Sequence, residues 1–198
     1  MKNFLAIVLC VFTLCLLSAP VLAQPYISVN GGIVTLSDSD LEGAAHGEMS
    51  FDAGFGVLAA LGVKVTENSR IEAEIGYRGN DIDKVKIDGV PKPGVSGDVT
   101  TLSLMGNMFY DFMPDEFFSP FIGVGFGLAN IEGDIDGFHR ERDNVFAYQA
   151  AIGGTYAANR QVSLDVQYRF FATDDANLDG LEAEYQSHNV LVGLRFNF

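Results

Sequence analysis

Residues 162–170 read VSLDVQYRF, in which every even-numbered residue is apolar and every odd-numbered residue is polar or charged. Because successive side chains of a β-strand point to opposite faces of its sheet, this period of two predicts a strand with one apolar and one polar face. Seven other segments alternate in the same way. The eight predicted strands span residues 24–36, 50–65, 69–79, 98–112, 119–131, 144–157, 161–172 and 187–198.

The segments that connect the predicted strands alternate between long and short. The long connections are residues 37–49, 80–97, 132–143 and 173–186, and the short ones are residues 66–68, 113–118 and 158–160. An even-stranded outer-membrane barrel has short periplasmic turns at one rim and long external loops at the other, whereas a Greek-key sandwich has no reason to alternate so regularly. The chain is therefore predicted to be all-β and to form an eight-stranded antiparallel transmembrane β-barrel of the outer-membrane type, with both termini periplasmic.

The aromatic residues fall near the two predicted rims, as expected for rings that prefer membrane interfaces. The predicted external girdle consists of Phe51, Tyr77, Phe146, Tyr148, Tyr168 and Phe170. The predicted internal girdle consists of Tyr26, Tyr110, Phe112, Phe121, Tyr156, Phe196 and Phe198.

Residues 1–23 have the pattern of a secretory signal peptide. Lys2 precedes an apolar run from Phe4 to Leu17, and Val21-Leu22-Ala23 then offers a cleavage site before Gln24. Cleavage there would remove both cysteines and leave residues 24–198 as a single barrel domain.

Composition excludes two other classes of protein. The 26 acidic residues against 12 basic ones give a net charge of −14, and no run of Lys and Arg occurs, which excludes a nucleic-acid partner. No segment after residue 23 approaches the roughly 20 apolar residues that a transmembrane helix needs, which excludes a helical membrane protein.

The polar faces of the predicted strands place several charges inside the barrel: Glu72, Glu74, Arg78, Asp111, Asp165, Arg169 and Arg195. The interior of an eight-stranded barrel is nearly filled by side chains, and buried charges need partners. A structural network of ion pairs is therefore predicted. A proton or ion path stays open as an alternative, because many inward positions are glycine and could leave room for water.

Catalysis is not predicted. His46, His139 and His188 lie in or beside the predicted external loops, and Ser187-His188, close to Glu182 and Glu184, is the only local Ser/His/acid candidate. Neighbouring residues of a strand point to opposite faces, so Ser187 and His188 make a poor nucleophile and base pair.

Two acidic loops match the first half of a calcium-binding loop. Their candidate ligands are Asp38, Asp40 and Glu42 in one loop and Asp175, Asn177 and Asp179 in the other. Neither loop has the closing glutamate, because Met49 and Gln186 stand at those positions. Ordinary acidic surface loops are the simpler interpretation, and no metal or cofactor is expected.

Both ends of the predicted barrel domain resemble a known family. The C-terminal LRFNF, with Leu194, Phe196 and Phe198, resembles the assembly signal of bacterial outer-membrane barrels. The start at residues 24–32, QPYISVNGG, resembles the outer membrane protein β-barrel domain family of OmpA-like, OmpX-like and opacity-type small porins. The resemblance implies location in the outer membrane, with its lipids, lipopolysaccharide and the barrel assembly machinery as partners.

The expected function is structural and surface-exposed: envelope integrity, adhesion or host contact, with a host or surface ligand at the acidic loops of a monomeric barrel. Two alternatives stay open, a narrow porin-like channel for small solutes and a lipid-modifying hydrolase.

Overall fold

The computed structural model of this protein describes residues 24–37, 39–41, 47–51, 53–87, 90–91, 97–114, 116–135, 141–174, 176–178, 181–183 and 185–198. Its eight long strands are β1 (Gln24–Leu36), β2 (Gly54–Lys64), β3 (Ser69–Ile87), β4 (Gly97–Asp111), β5 (Phe118–Ile135), β6 (Glu141–Ala157), β7 (Val162–Thr173) and β8 (Gln186–Asn197). Short strands also occur at Ser39–Leu41, Gly47–Phe51, Val90–Pro91, Ala176–Leu178 and Leu181–Ala183. No helix long and apolar enough to cross a membrane is found in the described ranges.

The eight long strands close into an antiparallel barrel. Each strand pairs with the next one in the chain, and β8 pairs with β1. The stagger of the barrel is found by following paired residues from strand to strand around it. A path that starts at Tyr26 on β1 returns to β1 at Leu36, ten residues further on. The residues between them on this path are Gly62, Glu72, Asn107, Gly125, Gln149, Phe171 and Ser187. This stagger tilts the strands and leaves an interior that side chains can fill. The predicted fold class is confirmed.

The two rims of the barrel differ in their connections. The short-turn rim carries residues 65–68, 112–117 and 158–161, together with Gln24 and Phe198. Its turn at 158–161 is held by Asn159 Oδ1, which accepts hydrogen bonds from the backbone amides of Gln161 (2.8 Å) and Val162 (2.9 Å). The long-connection rim carries residues 37–53, 88–96, 136–140 and 174–185.

The outer surface of the barrel is apolar and its lumen is polar. Val124 and Val166 on the outer face are 53% and 49% exposed, whereas Glu74 and Arg78 on the inner face are 1% and 0% exposed. A water-soluble protein buries apolar groups and exposes charged ones, so this inverted arrangement matches a barrel wall that faces lipid.

Strand ends match the prediction closely at the short-turn rim but not at the other rim. There β3 continues to Ile87, β5 continues to Ile135, and β6 begins at Glu141, so the strands are longer than predicted. Beyond residue 79 the sequence of β3 mixes charged and apolar residues, as in DIDKVK at 81–86, and the alternation disappears. Backbone pairing continues there because a hairpin satisfies its amides and carbonyls without an apolar face.

Two aromatic residues assigned to the internal girdle lie elsewhere. Tyr26 and Phe121 are 2% and 1% exposed and lie inside the lumen, so their predicted contact with lipid is wrong. Tyr26 shares the parity of Ser28 and Asn30, and Phe121 shares the parity of Ser119 and Gly123, so parity decides the face more strongly than ring type does. Phe170 is half-buried, the side chain of Phe51 lies outside the described part of the chain, and the remaining aromatics of both girdles are exposed on the outer face.

Candidate functional site

The seven charged residues predicted to face inward all lie in the lumen, and each is buried. The described lumen contains one more charged residue, Arg70, which sequence analysis missed. Arg70 has the same parity as Glu72 and Glu74, so the alternation contained the signal that places it inside. The described network has four arginines, Arg70, Arg78, Arg169 and Arg195, and four carboxylates, Glu72, Glu74, Asp111 and Asp165, so its formal charges cancel.

The group nearest the short-turn rim is centred on Arg70. Its Nη1 lies 2.8 Å from Glu72 Oε1 and its Nε lies 3.1 Å from Asp111 Oδ2. Tyr26 donates a hydrogen bond of 2.8 Å to Glu72 Oε1, and the guanidinium lies 4.1 Å from the centre of the Phe109 ring. Tyr26 therefore acts as a lumen hydrogen-bond donor and not as a membrane anchor.

The middle of the lumen is crossed by the Arg169–Glu74 ion pair, which joins β7 to β3. Asn107 and Gln149 each donate a 3.2 Å hydrogen bond to the same Glu74 carboxylate. Three donors on three strands thus converge on one buried acid, which fixes its position and compensates its charge.

A third group joins β7 to β8 and β6. Arg195 Nη2 lies 2.7 Å from Asp165 Oδ2, and Thr155 donates a 2.7 Å hydrogen bond to Asp165 Oδ1. Both oxygens of this buried carboxylate are therefore occupied.

Arg78 differs from the other three arginines. No carboxylate among the described residues lies within ion-pair distance of its guanidinium. Its Nε donates to Asn189 Oδ1 (3.1 Å), its Nη1 donates to Ser103 Oγ (3.0 Å), and the group lies 4.0 Å from the centre of the Phe171 ring. Arg78 is thus held by neutral hydrogen-bond acceptors and an aromatic face.

An apolar cluster closes the lumen between Arg78 and the long-connection rim. This apolar plug consists of Leu36, Met105, Ala129, Ile131, Val145, Ala147, Phe171 and Tyr185, with Val99 packed against it. Sequence analysis missed it because its members are single apolar residues scattered along the inner faces of five strands, with Tyr185 just before β8. The plug includes residues toward three of the long connections: Leu36 for the first, Ile131 and Val145 for the third, and Phe171 and Tyr185 for the fourth. Val99, which packs against the plug, lies toward the second connection.

Gly62 and Gly123 do not provide the water-filled space that the sequence allows for inward glycines. A Cβ atom at Gly62 would lie 2.2 Å from Cζ of Tyr26, and one at Gly123 would lie 2.3 Å from Cδ1 of Phe109. Rings from neighbouring strands therefore occupy the space above these glycines. In the described lumen, a cavity beside Phe109 and Gln149 has no room for water, and a second cavity, lined by Ser28 and Arg70, has about 10 Å³.

His188 and Ser187 point to opposite faces of β8, as the sequence implies, but the structure gives His188 another serine. Its Nε2 lies 3.2 Å from Ser37 Oγ, and its Nδ1 lies 2.6 Å from the hydroxyl of Tyr168. The phenol is a stronger acid than the alcohol, so Tyr168 is the better donor to the ring. In the tautomer whose Nδ1 accepts from Tyr168, Nε2 carries the proton and donates to Ser37, so His188 does not act as a base toward that serine.

The remaining predicted site residues occupy separate positions. Leu194, Phe196 and Phe198 form an exposed outward row that ends at the short-turn rim. Of the candidate calcium ligands, Asp38, Glu42, Asp175 and Asp179 lie outside the described residues, whereas Asp40 and Asn177 lie in the short strands Ser39–Leu41 and Ala176–Leu178. His46 and His139 also lie outside the described residues. Within the described ranges, no three His, Cys, Asp or Glu residues are grouped so as to hold a metal ion.

Comparison with known proteins identifies similar chains. A family model described as "Outer membrane protein beta-barrel domain" matches residues 6–198. A candidate adhesin of Rickettsia conorii, RC1281, is 26% identical over 212 aligned positions that cover 91% of this chain and 85% of that protein. The outer membrane protein PagN of Salmonella typhimurium is 24% identical over 126 residues, 52% of each chain. The crystal structure of Neisserial surface protein A shares the fold, with a TM-score of 0.63 at 17% identity over 89% of this chain and 99% of that one.

Proposed function

This chain belongs to the outer membrane protein β-barrel domain family, and from that premise we propose that it is a surface-contact protein whose long connections bind a host or surface ligand. The name of its Rickettsia conorii relative supports an adhesive role, because the similarity extends over most of both chains. The barrel places the long connections together at one rim, above a lumen that side chains close.

The long-connection rim faces the exterior in this proposal, and both chain ends face the periplasm. The support is the asymmetry of the two rims, since outer-membrane barrels keep their short turns on the periplasmic side. Residues 1–23 act as a cleaved signal peptide that directs export. The outward row of Leu194, Phe196 and Phe198 serves the barrel assembly machinery. The exposed apolar wall contacts outer-membrane lipids, and its external end contacts lipopolysaccharide.

The observation that carries the proposal is the charge of two neighbouring connections. Residues 37–53 and residues 174–185 each contain five acidic residues and no Lys or Arg. They attach to neighbouring strands, because the first follows β1 and the second precedes β8, and these two strands pair. The short strands Ser39–Leu41 and Leu181–Ala183 are also neighbours. An acidic surface of this kind favours a partner with a basic patch.

An adherence assay tests this function. The protein is displayed on a bacterial strain that does not adhere, and bound cells are counted on cultured epithelial cells at low and high salt. We expect adherence above the empty-vector level, and a decrease at high salt because exposed charges are screened.

A charge variant and a matched control locate the contact. The first carries Asn or Gln in place of the five acidic residues of 174–185, and the control carries Glu67→Gln and Glu116→Gln at the short-turn rim. Adherence should fall only in the first variant. A folded, displayed protein that leaves adherence at the empty-vector level contradicts the proposed function.

A channel is not proposed. Within the described barrel the lumen is crossed by ion pairs and closed by the apolar plug, and its cavity of about 10 Å³ is no larger than one water requires. A hydrolase is not proposed either, because His188, the ring that contacts Ser37 among the described residues, donates to it in the tautomer that Tyr168 favours.

A further inference from the structure

The lumen contains a small polar cavity between the ion-pair groups. Its volume is about 10 Å³, and its walls include Ser28, Arg70, Glu72, Asp165 and Arg169. These residues come from β1, β3 and β7, so the cavity lies between separate parts of the wall. A single water needs a space of about 10–15 Å³ and two to four polar partners.

Three residues that line the cavity each have a buried polar atom with no hydrogen-bond partner among the described protein atoms: Ser28 Oγ, Arg70 Nη2 and Arg169 Nε. All three residues are at most 2% exposed. A buried polar atom without a partner is costly, and its cost rises when it belongs to a charged group. Three such atoms around one cavity indicate a built site for a small ligand.

The charges of the wall decide which ligand fits. Arg70 and Arg169 contribute two positive charges, and Glu72 and Asp165 contribute two negative charges, so the wall is neutral. An anion would accept from the arginines but would face two carboxylates, and a cation would face two guanidinium groups. Water matches both kinds of group, because it accepts two hydrogen bonds and donates two.

We propose that this cavity binds one internal water molecule. The water accepts hydrogen bonds from Arg70 Nη2 and Arg169 Nε, and it donates to Ser28 Oγ and to a wall carboxylate. No direct hydrogen bond between described side chains joins the Arg70 group to the Arg169 group or to the Asp165 group. The bound water therefore links the Arg70 group to the Arg169 group.

A crystal structure of the wild-type barrel, at a resolution that shows ordered water, tests the site directly. The expected result is one density peak within hydrogen-bond distance of Ser28 Oγ, Arg70 Nη2 and Arg169 Nε. A cavity without density overturns the proposal. Crystals soaked in bromide separate water from an anion, because an anomalous peak at this position would show that the site takes a halide instead.

Two substitutions of one residue give a second, independent test. Ser28→Ala and Ser28→Val both remove the hydroxyl, but only the valine side chain fills the cavity and displaces the water. The alanine variant should retain the density peak. The valine variant should lose it and unfold at a temperature lower by roughly 5 °C, because two guanidinium donors lose their partner. A dry cavity predicts the opposite order, since extra apolar packing would make the valine variant the more stable one.

Discussion

Replacement of Phe171 by alanine should weaken the attachment of all four long connections to the barrel. Phe171 is fully buried, and its ring packs edge-on against Tyr185 at 5.9 Å between ring centres. It belongs to the apolar plug, which together with Val99 has residues toward every long connection. Loss of the ring removes the largest apolar side chain of that shared cluster.

The size of the effect follows from burial. Replacing a buried phenylalanine by alanine costs about 3–5 kcal/mol, through lost transfer free energy and the cavity that remains. The guanidinium of Arg78, 4.0 Å from the ring centre, also loses its aromatic contact. Since no described carboxylate pairs with Arg78, we expect a cost near the upper end, about 5 kcal/mol.

The matched control is Phe121→Ala. Phe121 is equally buried in the lumen, packs edge-on against Phe109 at 5.6 Å, and has the Arg70 guanidinium 4.8 Å from its ring centre. The two variants should therefore lose similar amounts of unfolding free energy. Only Phe171 belongs to the apolar plug.

Two measurements separate global from local effects. The chain contains no tryptophan, so urea unfolding in detergent is followed by far-UV circular dichroism. Limited proteolysis of the folded protein, with the cuts mapped by mass spectrometry, then gives a cleavage rate for residues 37–53, 88–96, 136–140 and 174–185. We expect faster cleavage in several connections for Phe171→Ala and wild-type rates for Phe121→Ala. Faster cleavage in residues 174–185 alone would refute the shared attachment, and a loss below about 1 kcal/mol would refute the packing estimate.

Other substitutions test the wall and the network. Val166→Arg should lower the unfolding free energy by roughly 2–4 kcal/mol if the site is near the bilayer midplane. Val65→Arg, at the short-turn rim, should lower it by only about 0–1 kcal/mol. Equal losses for the two variants, measured in liposomes, would contradict a lipid-facing wall. Gly62→Ala should cost about 1–3 kcal/mol because its Cβ meets the Tyr26 ring, and Gly133→Ala, which has no atom within 4 Å, should be nearly neutral in the same urea titration. Glu74→Gln should cost about 3–5 kcal/mol by leaving a buried arginine unpaired, and a midpoint equal to the wild type would show that the network is not stabilised by this pair.

The sequence was sufficient to predict the barrel and the inward position of its charges. Apolar and polar residues alternate wherever one face of a strand contacts lipid, so the strands could be located from the sequence. Whether a residue number is odd or even within its strand is then enough to place Glu72 and Asp165 in the lumen. The same rule would have placed Arg70, Tyr26 and Phe121 there had it been applied without regard to residue type. The strand extensions near the long-connection rim could not be predicted, because neither face contacts lipid there and the alternation stops.

The pairing inside the lumen could not be predicted. Arg169 and Glu74 are 95 residues apart, and they meet because the stagger of ten residues brings β3 and β7 to the same level. The apolar plug has the same origin, since its members share a level of the barrel but no local pattern. No carboxylate among the described residues pairs with Arg78 either. This could not be predicted, because the height of an inward side chain in the barrel depends on the register between strands and not on the sequence of one strand.

The Arg169–Glu74 pair has a consequence for how the barrel enters its membrane. In an open sheet, β3 and β7 would be separated by four strand spacings, about 19 Å, so the two charges could not meet. Each would then stand uncompensated at membrane depth, where unpaired charge is expensive. The pair forms only when β1 and β8 meet and the sheet becomes a cylinder. An open sheet at membrane depth would therefore leave both charges unpaired, and closure of the barrel removes that cost.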